Sequence, residues 1–204
     1  MSGHAPHEQV EHAEHGASNK TVALVISCLA LMLAVSEIFG QKAQTTTLQS
    51  NIEASNLWSF YQAKTIRKTI METAAEEFDV TSTGVADAAQ KKAMADRITK
   101  WKAAAARYES EPGAAILDPK TGADTGKTLP GEGRKELVGR AKAAEVVRDK
   151  YGNKHFRFEL ATGSFQIGIV LASAAIVTGI AALLWGAGGL GIVGLILLAS
   201  GILL

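Results

Sequence analysis

The chain has 204 residues, 47% hydrophobic and 20% charged, with a formal net charge of +1 and a single cysteine. Near-neutrality without a basic patch interleaved with aromatics gives no footing for a nucleic-acid partner, and the lone Cys28 excludes an intrachain disulfide. The averages hide a segregation: 36 of the 41 charged residues lie between positions 41 and 164, 20 of them basic and 16 acidic, so that segment carries +4.

Residues 1–20 form a polar tail with four of the five histidines. Its acidic character is the reverse of a signal peptide's basic start, so the apolar run behind it is expected to be retained. On a helix His4, Glu8, His12 and His15 share one face, and His7, Glu11, Glu14 and His15 another. Imidazole and carboxylate at i, i+4 can hold a divalent metal. Pro6 and Gly16 bracket a peptide too short to fold alone, so the same residues also fit a solvated tail. Titration of the imidazoles near pH 6 would reverse the tail's charge.

Residues 21–40 are the first expected membrane span, of which Val22–Gly40 gives about 28 Å of helix, flanked by Lys20 and Lys42. Glu37 sits one turn inside its C-terminal end. A carboxylate there is costly, and it reads either as a headgroup-level residue reaching water or Lys42, or as an interhelical or ion-path ligand. Residues 41–164 are expected outside the bilayer, as helices over about 41–78, 85–108 and 135–151 with a loop at 109–133. No Gly or Pro interrupts Gln41–Phe78. Its cluster Leu57, Trp58, Phe60 and Tyr61 is apolar around most of a helix and predicts burial among several helices.

The turn Asp79–Gly84 separates the first two of these helices. In the second, Met94, Ile98, Trp101, Ala105 and Tyr108 step by 4, 3, 4, 3, the spacing of a coiled-coil seam. The loop contains Gly122-Ala-Asp-Thr-Gly-Lys-Thr128, but a phosphate-binding loop needs four residues between its glycines and here there are three. Leu137, Ala141, Ala144 and Val147 mark the buried face of the third helix, with Gly152-Asn153 as a candidate break. Phe156, Arg157 and Phe158 read as an interfacial belt, and His155 as an uninvolved residue within it.

Residues 165–204 contain no charged residue and no histidine. That length fits two spans, 165–186 and 187–204, turning at Gly186, Gly188 and Gly189. Ser164 and Gly168, Ala175 and Gly179, Ala182 and Gly186, and Ala187 and Gly191 are each four apart, a spacing that lets helix backbones approach closely. The basic excess of 41–164 places that segment in the cytoplasm and the tail outside.

The opening His7-Glu-Gln-Val-Glu-His-Ala-Glu-His15, the block Leu57-Trp-Ser-Phe-Tyr-Gln-Ala-Lys-Thr-Ile-Arg-Lys68 and the block Phe158-Glu-Leu-Ala-Thr-Gly-Ser-Phe-Gln-Ile-Gly-Ile-Val-Leu-Ala-Ser173 resemble a bacterial membrane-protein family catalogued as domain of unknown function 4337. The resemblance covers the chain apart from the loop at 111–133. It implies a bacterial inner-membrane protein with three spans and a helical middle region, and brings no catalytic or binding residues with it.

The expected fold class is therefore all-α: an integral membrane protein with three transmembrane helices and a helical-hairpin, coiled-coil-like extramembrane region. No Ser/His/Asp set, activated cysteine or phosphate cradle points to an enzyme, and no cofactor is expected. The expected partners are the lipid bilayer and further copies of the chain or a larger membrane complex. The helix-interaction candidates are Leu57, Trp58, Tyr61, the Met94–Tyr108 seam, Gly168 and Gly179. The alternatives are an oligomeric channel or transporter using Glu37, and metal or pH sensing by the tail.

Overall fold

The computed structural model describes the backbone of residues 6–117 and 124–204 and the side chains of residues 20–116 and 125–204. In chain order the elements are α1 (Pro6–Ser82), α2 (Ala88–Glu109), β1 (Ala115–Leu117), β2 (Asp124–Thr128), α3 (Arg134–Thr178) and α4 (Ala181–Leu203). Among the described residues the fold is helical apart from the antiparallel pair β1–β2, in which Ala115 pairs with Thr128 and Leu117 with Asp124. Three helices are long and apolar enough to cross a membrane: α1 from Lys20 onward, α3 and α4.

The chain divides into two compact units, one of Met1–Leu48 with Arg148–Leu204, the other of Gln49–Val147. The first packs Leu29, Ala43, Phe158, Ala161, Phe165 and Leu198 into one cluster and Val22, Ala172 and Ala187 into another. Small residues and rings alternate there: Gly194 and Gly201 of α4 lie directly against the rings of Phe165 and Phe158. In lipid, close packing of this kind holds helices together, because burial from an apolar solvent yields little. The second unit centres on Leu57, Leu137 and Ala141, with Trp58 and Tyr61 against them.

Several boundaries differ from those read in the sequence. Helix α1 neither begins at the first span nor stops at Phe78: it runs from Pro6, through the segment read as a tail too short to fold alone, to Ser82, where Thr81 and Ser82 donate back to the carbonyls of Glu77 and Asp79. Asp87 then caps α2, accepting a hydrogen bond from Ala89 N at 2.8 Å. Gly152-Asn153 does not break α3, which continues to Thr178. A glycine in a helix costs about 1 kcal/mol against alanine, and packing on α1 on both sides of it outweighs that. Tyr151 joins the cluster of Leu29 and Phe158, and His155 Nδ1 lies 3.2 Å from the Gly40 carbonyl. His155 is thus a helix-to-helix contact rather than an uninvolved interfacial residue.

The turn between the last two helices is not at Gly186–Gly189 but at Gly179–Ile180. Gly179 adopts φ +68, a left-handed conformation that ends α3 in the usual C-terminal manner. The downstream glycines stay inside α4, where Gly186 packs against Leu171 and Gly191 against Leu29. The region 109–133 is likewise not all loop, since it holds β1 and β2. Gly133 starts α3 at a close approach: a β-carbon there would fall 2.3 Å from both Glu111 N and Glu136 Oε2.

Candidate functional site

In the second unit, one row of α1 runs Ala54, Leu57, Tyr61, Lys64, Lys68, and its upper part is apolar and its lower part cationic. Leu57 is buried against Leu137 and Ala141 of α3. Tyr61 continues the row and accepts a hydrogen bond from Arg134 Nη2 at 3.0 Å. That bond and the adjacent guanidinium hold the phenol below its ordinary pKa. Arg134 also pairs with Glu109 at 2.8 Å, and Lys68 meets the same carboxylate at 3.0 Å. Lys64 and Arg107 bind Glu111 at 3.1 and 2.7 Å. Glu136 accepts from Ser110 Oγ at 2.6 Å and from Glu111 N at 3.3 Å.

This network gathers α1, the end of α2 and the start of α3. Hydrogen bonds from Lys68, from Arg107 and Lys64, and from Ser110 hold Glu109, Glu111 and Glu136 respectively below the ordinary glutamate value. The bond to Glu109 raises Lys68, and the bond to Tyr61 raises Arg134. Trp58 Nε1 adds a further clasp, donating to Glu145 Oε1 at 2.9 Å. The cations and carboxylates pair with one another, although the buried Arg134 Nε has no hydrogen-bond partner, and such pairing suits a joint between helices. Beside it a cleft of about 210 Å³ is lined by Leu57, Phe60, Lys64, Pro130, Leu137 and Arg140.

The opposite face of α1 is different. Ile52, Ser55, Ser59, Ala63, Ile66, Ile70 and Thr73 step by 3, 4, 4, 3, 4, 3, and every one is exposed. Ile52, Ile66 and Ile70 keep 59%, 60% and 56% of their surface in contact with solvent. The row extends about 31 Å and contains no charge. The row is uncharged and partly apolar along its whole length.

The structure distributes the candidate residues as follows. Leu57, Trp58 and Tyr61 pack on α3 on one side only, and Phe60 is 62% exposed, so the cluster is not buried all round. The α2 row is the buried face: Ile98 and Ala105 are buried, and Met94, Trp101 and Tyr108 are half-buried. Its partner is α1 of the same chain, with Phe78 edge-on to Trp101 at 4.9 Å and Lys64 over Tyr108 at 5.7 Å. Gly168 packs against Ala187 and Leu29, whereas Gly179 is the turn and has nothing near it.

Glu37 is exposed, one residue from the fully buried Ser36. Ser36 Oγ donates to the Phe158 carbonyl at 2.9 Å and accepts from Thr162 Oγ1 at 3.0 Å. The side chains of His4, His7, Glu8, Glu11, His12 and His15 lie outside the described residues. Sequence reasoning missed Lys64, Lys68, Glu109, Glu111, Arg134, Glu136 and Glu145. One available signal was that Lys64 and Lys68 continue the Leu57–Tyr61 row at the same 3–4 step, which puts two cations on a packed face.

No curated protein and no solved structure matches this chain. The order of its elements, with apolar helices before and after a helical joint, is the context of the two sequence blocks at 57–68 and 158–173. The match to the family model covers residues 18–204, and the chain belongs to the family described as Domain of unknown function (DUF4337).

Proposed function

We propose that this chain is a non-enzymatic, membrane-anchored module that assembles with further copies of itself through the outward face of α1. The three apolar helices cross the bilayer, taken here as the bacterial inner membrane, with 41–164 in the cytoplasm and the N-terminal tail outside. The carrying observation is the exposed row Ile52 to Thr73. Copies inserted with one topology present α1 in the same direction, so the row meets itself in parallel. A charged row would then face its own like charges, and this one has none to face. The Met94–Tyr108 seam gives no support, since α1 of the same chain occupies it.

Light scattering of the detergent-purified chain tests this directly. The expected result is a dimer or larger species that Ile66→Lys with Ile70→Lys reduces to the monomer. A strict monomer in the unaltered chain, or an assembly indifferent to those two lysines, rejects it. An impermeant thiol reagent labels Ser2→Cys but not Ser110→Cys in intact cells (both in a Cys28→Ser background) if the orientation is correct.

A second reading rests on Glu37, whose carboxylate faces away from the Ser36–Phe158 contact, toward the surroundings of the bundle. In an assembly of first spans it would line a cation path. Flux through reconstituted liposomes that Glu37→Gln leaves unchanged removes that reading.

A further inference from the structure

Within the first unit, a groove of about 160 Å³ lies between α1, α3 and the end of α4. Its apolar wall is Phe39, Phe158 and Ile202, with the two rings stacked at 5.8 Å and 26°. The Phe158 ring reaches α4 because residue 201 is glycine: a β-carbon there would lie 2.7 Å from Cε1. The polar side of the groove is Lys42, Tyr151 and Lys154, with the Lys154 ammonium 5.7 Å over the Tyr151 ring. Among the described residues neither Lys42 nor Lys154 is ion-paired.

The place of this groove along the helices gives it meaning. The apolar run of α1 ends at Gly40, and that of α3 begins at Leu160, just after Glu159. Gly40 lies against the Phe158 β-carbon and Gly201 against its ring, so the limits of the α1 and α3 runs come together at one level, with Gly201 of α4 beside them. Two lysines without an ion pair among the described residues therefore line the same groove as the stacked rings, near the end of the α1 apolar run. A soluble anion has no use for the rings, and a zwitterionic lipid brings an ammonium of its own. We infer that the groove binds an anionic phospholipid, with its phosphate between Lys42 and Lys154 and the first acyl carbons against Phe39, Phe158 and Ile202. Basic pockets between membrane helices take such headgroups for the same reasons.

The inference rests on the reading that the apolar helices span a bilayer, and the two fail separately. Release of the chain from vesicles by carbonate would sink the membrane reading, whatever the groove binds. For the groove, the full delipidated chain in dodecyl maltoside is offered equimolar phosphatidylglycerol and phosphatidylcholine, and bound lipid is counted by native mass spectrometry. The unaltered chain is expected to retain phosphatidylglycerol. Lys42→Gln with Lys154→Gln should weaken it roughly thirtyfold, and each single change about fivefold, so the test survives a double variant that folds poorly. The charge-matched pair Lys20→Gln with Lys150→Gln, outside the groove, should stay within about twofold. Equal retention of both lipids, equal losses in the two variant pairs, or displacement by glycerol phosphate at equimolar concentration would each overturn the assignment.

Discussion

Two alanine substitutions on one face-changing helix should have opposite signs. A β-carbon added at Gly194 of α4 would lie 2.6, 2.8 and 2.9 Å from Cε1, Cζ and Cδ1 of Phe165. Phe165 is fully buried and packed with Leu29, Ala161 and Leu198, so no flexible end can yield. Restoring ordinary contact needs about 1 Å of movement by the ring or by α4, and overpacking of this kind costs roughly 1–3 kcal/mol. At Gly188, on the same helix, an added β-carbon meets nothing within 4 Å. Alanine there carries only the helix-propensity gain of about 0.5–1 kcal/mol. Reversible unfolding in mixed micelles, followed by helical circular dichroism, should therefore place Gly194→Ala below and Gly188→Ala above the unaltered chain. Phe165→Leu trims the ring edge and should partly rescue Gly194→Ala, with a coupling of about 1 kcal/mol or more in the double-mutant cycle. Equal stability of the two alanine variants, or a cycle with no coupling, would refute the α3–α4 packing described.

Three further outcomes follow from the two units. Leu57→Ala removes the centre of the second unit's core and should cost about 2–5 kcal/mol in thermal or denaturant unfolding; a loss under 1 kcal/mol would mean that α1 and α3 do not meet there. Glu109, Glu111 and Glu136 all have folded-state pKa values below the ordinary 4.5. The unfolded chain thus takes up protons first, and their contribution is complete above about pH 5 and lost as pH falls through the lower folded values. Denaturation midpoints read from Trp58 and Trp101 fluorescence should hold between roughly pH 7 and 5 and drop toward pH 3, and a flat profile would deny the network its role. Ser36→Ala should cost only about 0.6 kcal/mol and under about 1.7, the range for hydroxyl contacts between membrane helices, because the Phe158 carbonyl also lies within α3 and Thr162 can turn to its own helix.

Much of the architecture was legible because it depends on solvent class and period. The uncharged forty residues at the C-terminus, the run after Lys20 and the 4, 3, 4, 3 row of α2 each announce a helix and a buried face without reference to any partner. What stayed hidden was the identity of the partner. A 3–4 row says that Met94, Ile98 and Trp101 are covered, yet α1 of the same chain and α2 of another copy satisfy it equally. The glycines misled for a related reason. Gly179 differs from Gly186, Gly188 and Gly189 only in its backbone, and no local pattern shows which of four glycines in an apolar run adopts positive φ. The charged joint was obscured by the habit of reading Lys and Glu as surface. Only contact between Tyr61, Lys64 and Lys68 on one helix and Glu109, Glu111 and Arg134 elsewhere in the chain turns solvated charges into a clasp.

The use of each surface within the chain narrows what is left for function. The α2 seam, Leu57 and Tyr61, and the small residues at Gly168, Ala187 and Gly191 all find partners inside one chain. Among the described residues, three features face the surroundings: the uncharged row from Ile52 to Thr73, the exposed Glu37, and Lys42 and Lys154, which have no ion pair and line the groove with the stacked rings. Each is suited to a different surrounding. The row suits another helix, because it would desolvate no charge. Glu37 suits a neighbouring span or water, because an isolated carboxylate is costly in hydrocarbon. The lysines suit lipid phosphate, because they stand where hydrocarbon ends. Under the function proposed above, these groups are completed by a membrane and by neighbours in it.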